Sequence, residues 1–298
     1  MQRAALAAIA RTCVAAACLM LVQSPGRADV VTRYLEPFPD IEQDPYQMYW
    51  SDITGTAYAQ DFVDSFSYDN AMVRIDYSSF DLYHFTGSLY ATDLKPDFCY
   101  QIKLSGKPEA YYGSGGDDAS NEDIGYVGRW WREEPNPGNA NDADYEAHRD
   151  DPDYVYSGYL VFDFFVTDET GTATVDFSSD SSYHVIWKES QRPHGSTDGP
   201  VRYYTVDGTD VGLYAERQGT RALPGELALT PGDYNVQFRL TEESFHDYPA
   251  FWAQVLKSDD IHYAIAPEPA TSALFVLGVA LLARRLRRRV PPGSRGRL

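Results

Sequence analysis

The sequence predicts an all-β fold, a β-sandwich, carried between two address segments. Three observations predict it. Apolar residues across 29–266 recur with period two and not 3.6. The apolar runs are separated by turns rich in Pro, Gly, Asp and Asn. No amphipathic helical stripe stands between them.

Strands are expected first over 72–77 and 81–91. A turn at Lys95-Pro96-Asp97 then leads into Tyr100, Ile102 and Leu104, which alternate with Gln101 and Lys103. Such alternation puts one side of a strand on a core and the other toward solvent. The run Tyr159–Val166 is apolar on both faces except Asp163, the pattern of a central strand. Asp168-Glu169-Thr170-Gly171 is expected to turn it back into Thr172–Phe177 as a hairpin. A strand follows at 182–188. Arg202–Val206 and Thr209–Ala215 flank Asp207-Gly208, a pair suited to the positive φ of a tight hairpin turn. Pro231-Gly232 introduces Tyr234, Val236, Phe238 and Leu240, alternating with Asn235, Gln237 and Arg239. Segments 251–256 and 261–265 complete the set. Two tandem sandwiches dividing near Asp168 and one larger unit both fit this series. The 159–177 hairpin would straddle the division, which favours one unit.

Charge narrows the partners. The chain carries 44 acidic and 25 basic residues, but the imbalance is concentrated. Residues 29–266 hold 43 of the acids and 15 of the bases, a net charge near -28. Binding to nucleic acid or to an anionic bilayer begins with cationic contacts to phosphate, so this body excludes nucleic acid as a partner. Disorder is also excluded, because the same segment holds all 5 Trp and all 23 Tyr in strand-like runs. Only Cys99 lies in the body, Cys13 and Cys18 being in the leader, so no internal disulfide stabilises it.

The leader reads as a secretory signal peptide. Arg3 and Arg11 flank an Ala-rich stretch, Thr12–Val22 is short and apolar, and Ser24-Pro25 breaks a helix. Gly26-Arg27-Ala28 supplies small residues for signal peptidase, with cleavage expected between Ala28 and Asp29.

At the other end, Pro267-Glu268-Pro269 precedes an apolar run, Ala270–Ala283, containing Gly278. Arg284, Arg285, Arg287, Arg288 and Arg289 follow. Fourteen helical residues span about 21 Å, short of a ~30 Å hydrocarbon core, but snorkelling arginines extend the reach. The basic cluster is expected on the cytoplasmic side, leaving the body outside. These three parts in order resemble the PEP-CTERM sorting signal, over 267–290. The resemblance implies processing by an exosortase in a Gram-negative bacterium, usually beside exopolysaccharide production. It implies transient inner-membrane anchoring and then release to the cell surface or extracellular matrix. The tail 291–298 extends beyond the usual pattern.

Within the body, Leu94-Lys95-Pro96-Asp97-Phe98-Cys99-Tyr100 resembles the Leu-x-Pro-x-x-x-Tyr corner of fibronectin type III and related Ig-like sandwiches. Leu229-Thr230-Pro231-Gly232-Asp233-Tyr234 echoes it with different spacing. The corner implies an architecture and no function.

Lys107–Ser157 shows no strand pattern and is expected to be a long loop, the kind that binds a ligand. Oxygen side chains alternate there at Asp142, Asp144 and Glu146, with Asp153 further on. Alternate positions in a loop suit a hard cation, so an irregular Ca²⁺ site is the metal expectation. Ala147 in place of glycine and the lack of flanking helical pattern argue against an EF-hand. A solvated acidic surface explains the same residues, as it does Asp117, Asp118, Asn121 and Asp123. Trp130-Trp131 sits mid-loop and offers rings on which sugars stack, although Trp and Tyr also fill cores.

No other chemistry is legible. His84, His148, His184, His194, His246 and His262 make no metal-binding spacing. Tyr112-Gly113-Ser114-Gly115-Gly116 lacks the strand–turn–helix context of a nucleophile elbow. Cys99 reads as a small buried hydrophobe. The functional expectation is an exported, non-enzymatic surface or matrix protein. The alternative is a polysaccharide-binding module, with Ca²⁺ as its only candidate cofactor. A secreted hydrolase is the remote third.

Overall fold

In the computed structural model the described residues are 29–38, 50–106, 120–186, 199–215, 222–243 and 253–267. The signal peptide through Ala28 lies outside them, as do Glu268, Pro269, Gly278 and the arginines from Arg284 onward. Trp187, Trp252, His194, His246, Asp117, Asp118 and Ser114 also lie outside. Residues Ala28–Ile265 form a compact unit that contains every strand below.

Period-two alternation becomes strands almost throughout. They are β1 (Val30–Pro37), β2 (Met72–Ser78), β3 (Phe80–Asp81), β4 (Thr86–Thr92), β5 (Cys99–Gly106), β6 (Arg129–Glu134) and β7 (Gly138–Ala140). Then come β8 (Val155–Val166), β9 (Ala173–Ser178), β10 (Val185–Ile186), β11 (Arg202–Val206), β12 (Thr209–Ala215), β13 (Gly232–Glu242) and β14 (Gln254–Ile265). Among the described residues the fold is mostly β, with three short α-helices, α1 (Gln60–Ser65), α2 (Ser120–Val127) and α3 (Asp142–His148).

Among the described residues eleven strands form one sheet, ordered β7-β6-β8-β5-β13-β14-β1-β2-β4-β9 with β3 on β14. Every pairing is antiparallel except β3 with β14. One end of the sheet packs on its interior strands: the Phe177 ring of β9 lies 6.1 Å from Phe162 of β8 and 5.3 Å from Phe238 of β13. Ile75, Leu89, Leu240 and Ile261 are fully buried around them. A second, three-stranded sheet, β10-β12-β11, is tied to the other face of β5 and β8. Gln101 donates to the Tyr183 carbonyl at 2.7 Å and accepts from Val185 N–H at 3.2 Å. Arg202 reaches the Phe164 carbonyl at 2.7 Å and Asp163 at 3.0 Å.

Turn chemistry is realised where the sequence places it. β11 and β12 pair from Arg202↔Leu213 to Val206↔Thr209, closed by Asp207 and Gly208 at φ 48° and 78°. The two tyrosine corners close on their own chain. Tyr100 Oη accepts from Lys95 N–H at 3.0 Å, and Tyr234 Oη donates to the Thr230 carbonyl at 2.8 Å.

Three expectations need correction. β8 and β9 flank the Asp168–Thr172 turn but do not pair: β9 lies on β4, from Thr86↔Ser178 to Ala91↔Ala173. The turn is anchored instead to the β4–β5 connection, through Leu94 N–H to the Gly171 carbonyl and Asp97 N–H to that of Asp168. β8, buried on both faces, is a central strand already occupied by β5 and β6. Segments 251–256 and 261–265 belong to one strand, β14, whose register on β13 shifts twice. The stretch 120–157 is not a patternless loop, since it holds α2, β6, β7, α3 and the start of β8.

Candidate functional site

Trp130 and Trp131 are neighbours on β6, so their side chains leave opposite faces of the strand. Trp130 is fully buried and Trp131 half-buried. The Trp130 indole stacks on Tyr145 of α3 at 3.7 Å, meets Tyr126 of α2 edge-on at 5.4 Å, and sits against Gly125. A side chain on Gly125 would enter that indole, its Cβ falling 2.3 Å from a ring carbon. Trp130 is therefore the centre of a small aromatic core with Tyr145 and Tyr156.

The carboxylates expected to act together are divided among different partners. Asp142–His148 is a helix capped by Asn141, whose side chain accepts from Asp144 N–H at 2.9 Å. On a helix, alternate residues are turned by about 200° from one another, so the loop logic of converging ligands does not apply. Asp142 accepts from the Trp130 indole at 3.1 Å. Asp144 accepts from Tyr156 Oη at 3.0 Å and faces Arg132 at 3.4 Å. Glu146 accepts from Tyr126 Oη and lies 3.6 Å from Arg149. Asp153 is exposed, and its N–H is held by Asp151 at 3.0 Å. Among the described residues no group of three or more His, Cys, Asp or Glu is arranged to hold a metal ion. Burial first, then the carboxylate partner, pushes the phenols of Tyr126 and Tyr156 up to about 12, so both stay hydrogen-bond donors at ordinary pH.

His84, His148 and Cys99 are also committed to the fold. His84 meets the Leu227 carbonyl at 2.9 Å, and His148 stacks on Tyr154 at 3.9 Å. Cys99 is fully buried and its thiol is pushed well up, first by burial and then by Glu243.

An open aromatic surface lies elsewhere, on the outward face of β1, β2, β4 and β9. Ladder register puts Tyr34, Arg74, Tyr90 and Thr174 in one row across the four strands. Tyr34 is 59 % and Tyr90 36 % exposed. Their strands are two apart, a separation of roughly 10 Å. Between them the Arg74 guanidinium lies 4.3 Å from the Tyr90 ring centroid and 3.1 Å from Asp76. The next row, Thr32, Asp76, Ser88 and Asp176, is hydrogen-bonded in pairs: Thr32 to Asp76 and Ser88 to Asp176, both at 2.6 Å. Such a face offers flat rings for stacking and a fixed set of hydroxyl, carboxylate and guanidinium groups beside them. Its sequence signal is weak because outward positions of half-buried strands carry no periodic signature beyond polarity, and β1 was not expected as a strand. Comparison of the chain with protein-family models, with curated proteins and with solved structures gives no match.

Proposed function

We propose that the chain is an exported, exosortase-processed surface or matrix protein of structural, non-enzymatic type, built as an Ig-like or related β-sandwich. The observation that carries the reading is where the folded unit stops. It runs from Ala28 to Ile265, next to the expected signal cleavage after Ala28 and the sorting triplet from Pro267. Its two ends also meet. Ser79 N–H donates to the Asp29 carbonyl at 2.9 Å, and the Ser79 carbonyl accepts from Ala264 N–H at 3.0 Å. The first and last strand ends of the body thus lie beside the same residue, Ser79, which suits a precursor held to one membrane by either end. The packing of the end strand β9 onto the interior strands β8 and β13, which it does not pair with, supports the sandwich architecture.

The test is to produce the full chain in an exosortase-bearing Gram-negative host and to fractionate the cells. The expected product starts at Asp29 and appears outside the inner membrane. Replacing Pro267, Glu268 and Pro269 together with alanine should leave the tailed form in the inner membrane. An uncleaved chain in the cytoplasm, or release indifferent to the triplet, would overturn the reading.

A second reading has its own observation, the open Tyr34–Arg74–Tyr90–Thr174 row: the protein holds extracellular polysaccharide on that face, and not at Trp130-Trp131. Retention of the full chain on the host's exopolysaccharide, in calcium and again in EDTA, tests it. Tyr34→Ala with Tyr90→Ala should weaken retention about tenfold, the effect of losing ~1.4 kcal/mol. Unchanged retention in that double variant would remove the face from consideration.

A further inference from the structure

Lys95 stands in the connection between β4 and β5, and Glu242 is the last residue of β13, 147 positions away. Their side chains are 0 % and 1 % exposed, and Nζ lies 2.5 Å from Oε1. A carboxyl C–O bond of about 1.2 Å then puts Nζ within about 3.7 Å of Cδ. The amino group is enclosed by rings. The Trp50 centroid is 3.2 Å away, Phe98 4.6 Å, Tyr68 5.5 Å and Phe66 5.6 Å. Taking two charges out of water costs several kcal/mol each, offset here by their mutual attraction and by the ring faces over the ammonium, and the neutral amine and carboxylic acid are one proton transfer away.

A chain of hydrogen bonds ends on the same carboxyl. Lys95 N–H donates to Tyr100 Oη at 3.0 Å, Tyr100 Oη lies 3.0 Å from Tyr68 Oη, and Tyr68 donates to Glu242 Oε1 at 2.5 Å. Burial first, and then Glu242, pushes both phenols well above their ordinary range, so both retain their protons.

We propose that Lys95 and Glu242 condense within the folded protein to an intramolecular amide. The Lys95 ammonium passes one proton to the Glu242 carboxylate, leaving a neutral amine beside a carboxylic acid. The amine's lone pair adds to Cδ, with Tyr68 donating a hydrogen bond to the oxygen on which charge develops. The Cδ–O bond of the hydroxyl breaks, the nitrogen loses its second proton to that oxygen, and one water leaves. One C–N bond forms, one C–O bond breaks, and no oxidant, metal or cofactor is consumed. Holding both groups side by side makes the reaction intramolecular, which a dilute amine and acid lack. The product ties the β4–β5 connection to the end of β13 across most of the folded unit. That covalent tie would serve a body whose only cysteine is Cys99. The inference stands on this geometry and does not require the export or polysaccharide readings.

The test is mass spectrometry of the full chain, denatured and digested without any cross-linking reagent. A branched peptide joining the Lys95 and Glu242 segments, lighter than the two linear peptides by one water, is the expected result. It should be absent from Lys95→Arg and from Glu242→Ala, whatever their stability, because digestion does not depend on the fold. Amine labelling after denaturation should likewise leave Lys95 of the parent chain unmodified. Recovery of only the two linear peptides, with Lys95 fully labelled, would overturn the proposal.

Discussion

The Trp130 indole N–H donates to the Asp142 carboxylate at 3.1 Å. Two residues whose types pointed to two different ligands, a sugar and a cation, are thus each other's partner. The bond pins the first turn of α3 to β6, beside the Trp130–Tyr145 stack. Asp142→Ala should cost about 1–3 kcal/mol, the penalty for depriving a buried donor of its acceptor. Denaturant midpoints of the two chains measure it. Polysaccharide retention should be unchanged, because the Trp130 ring is buried in either case.

Lys103 gives the fold an alkaline stability gradient. It lies on the polar face of β5 with its ammonium 4.6 Å from the Tyr159 ring centroid. Burial first, and then Arg239, lowers its pKa from 10.5 to about 7, with Glu243 opposing. Between those values the unfolded chain holds a proton that the native chain has shed. Stability therefore rises with pH from about 7 toward 10, and this contribution is flat below 7, where both states are protonated. Above pH 10 the buried phenols of Tyr68, Tyr100 and Tyr263 act in the opposite direction, since only the unfolded chain loses those protons. Urea titrations across pH 7–10 should show the rise in the parent chain and a flatter profile in Lys103→Met.

Two glycines with similar backbone angles should respond differently to alanine. Gly171 has φ +75° and closes the Asp168–Thr172 turn, where an added Cβ would stand 2.0 Å from the Leu94 carbonyl oxygen. Gly208 has φ +78° in the β11–β12 hairpin with nothing within 4 Å of that position. Gly208→Ala should therefore cost about 1 kcal/mol, the left-handed backbone alone. Gly171→Ala should cost roughly 2–3 kcal/mol, because the β4–β5 connection must move as well. Equal melting shifts for the two variants would show that the Leu94 contact is relaxed at no cost.

Strand segments were legible where apolar residues alternate sharply with polar ones or run unbroken. Tyr234, Val236, Phe238 and Leu240 alternate in sequence and are buried in the structure. β1 was missed because Val30, Thr32 and Tyr34 all face outward, leaving little apolar contrast along the segment. β6 and β7 were missed because each is short and the polar residues around them resemble a loop. The candidate site was legible as residue types and illegible as exposure. Trp130 reads the same whether it stacks on a sugar or on Tyr145, and only the packing of α2 and α3 over β6 decides which.

Local features follow from stretches of a few residues. The Asp207-Gly208 hairpin, the corners at Tyr100 and Tyr234, the strand segments and the charge of the body follow from local sterics, short hydrogen bonds and composition. The tertiary structure decided what depends on residues far apart. It set β9 on β4 and not on β8, turned Trp130 inward, opened the Tyr34–Arg74–Tyr90 row, and closed Lys95 on Glu242 across 147 positions. The physical reason is that strand pairing and burial are chosen by competition among all faces for one core. No window of neighbouring residues contains the outcome of that competition.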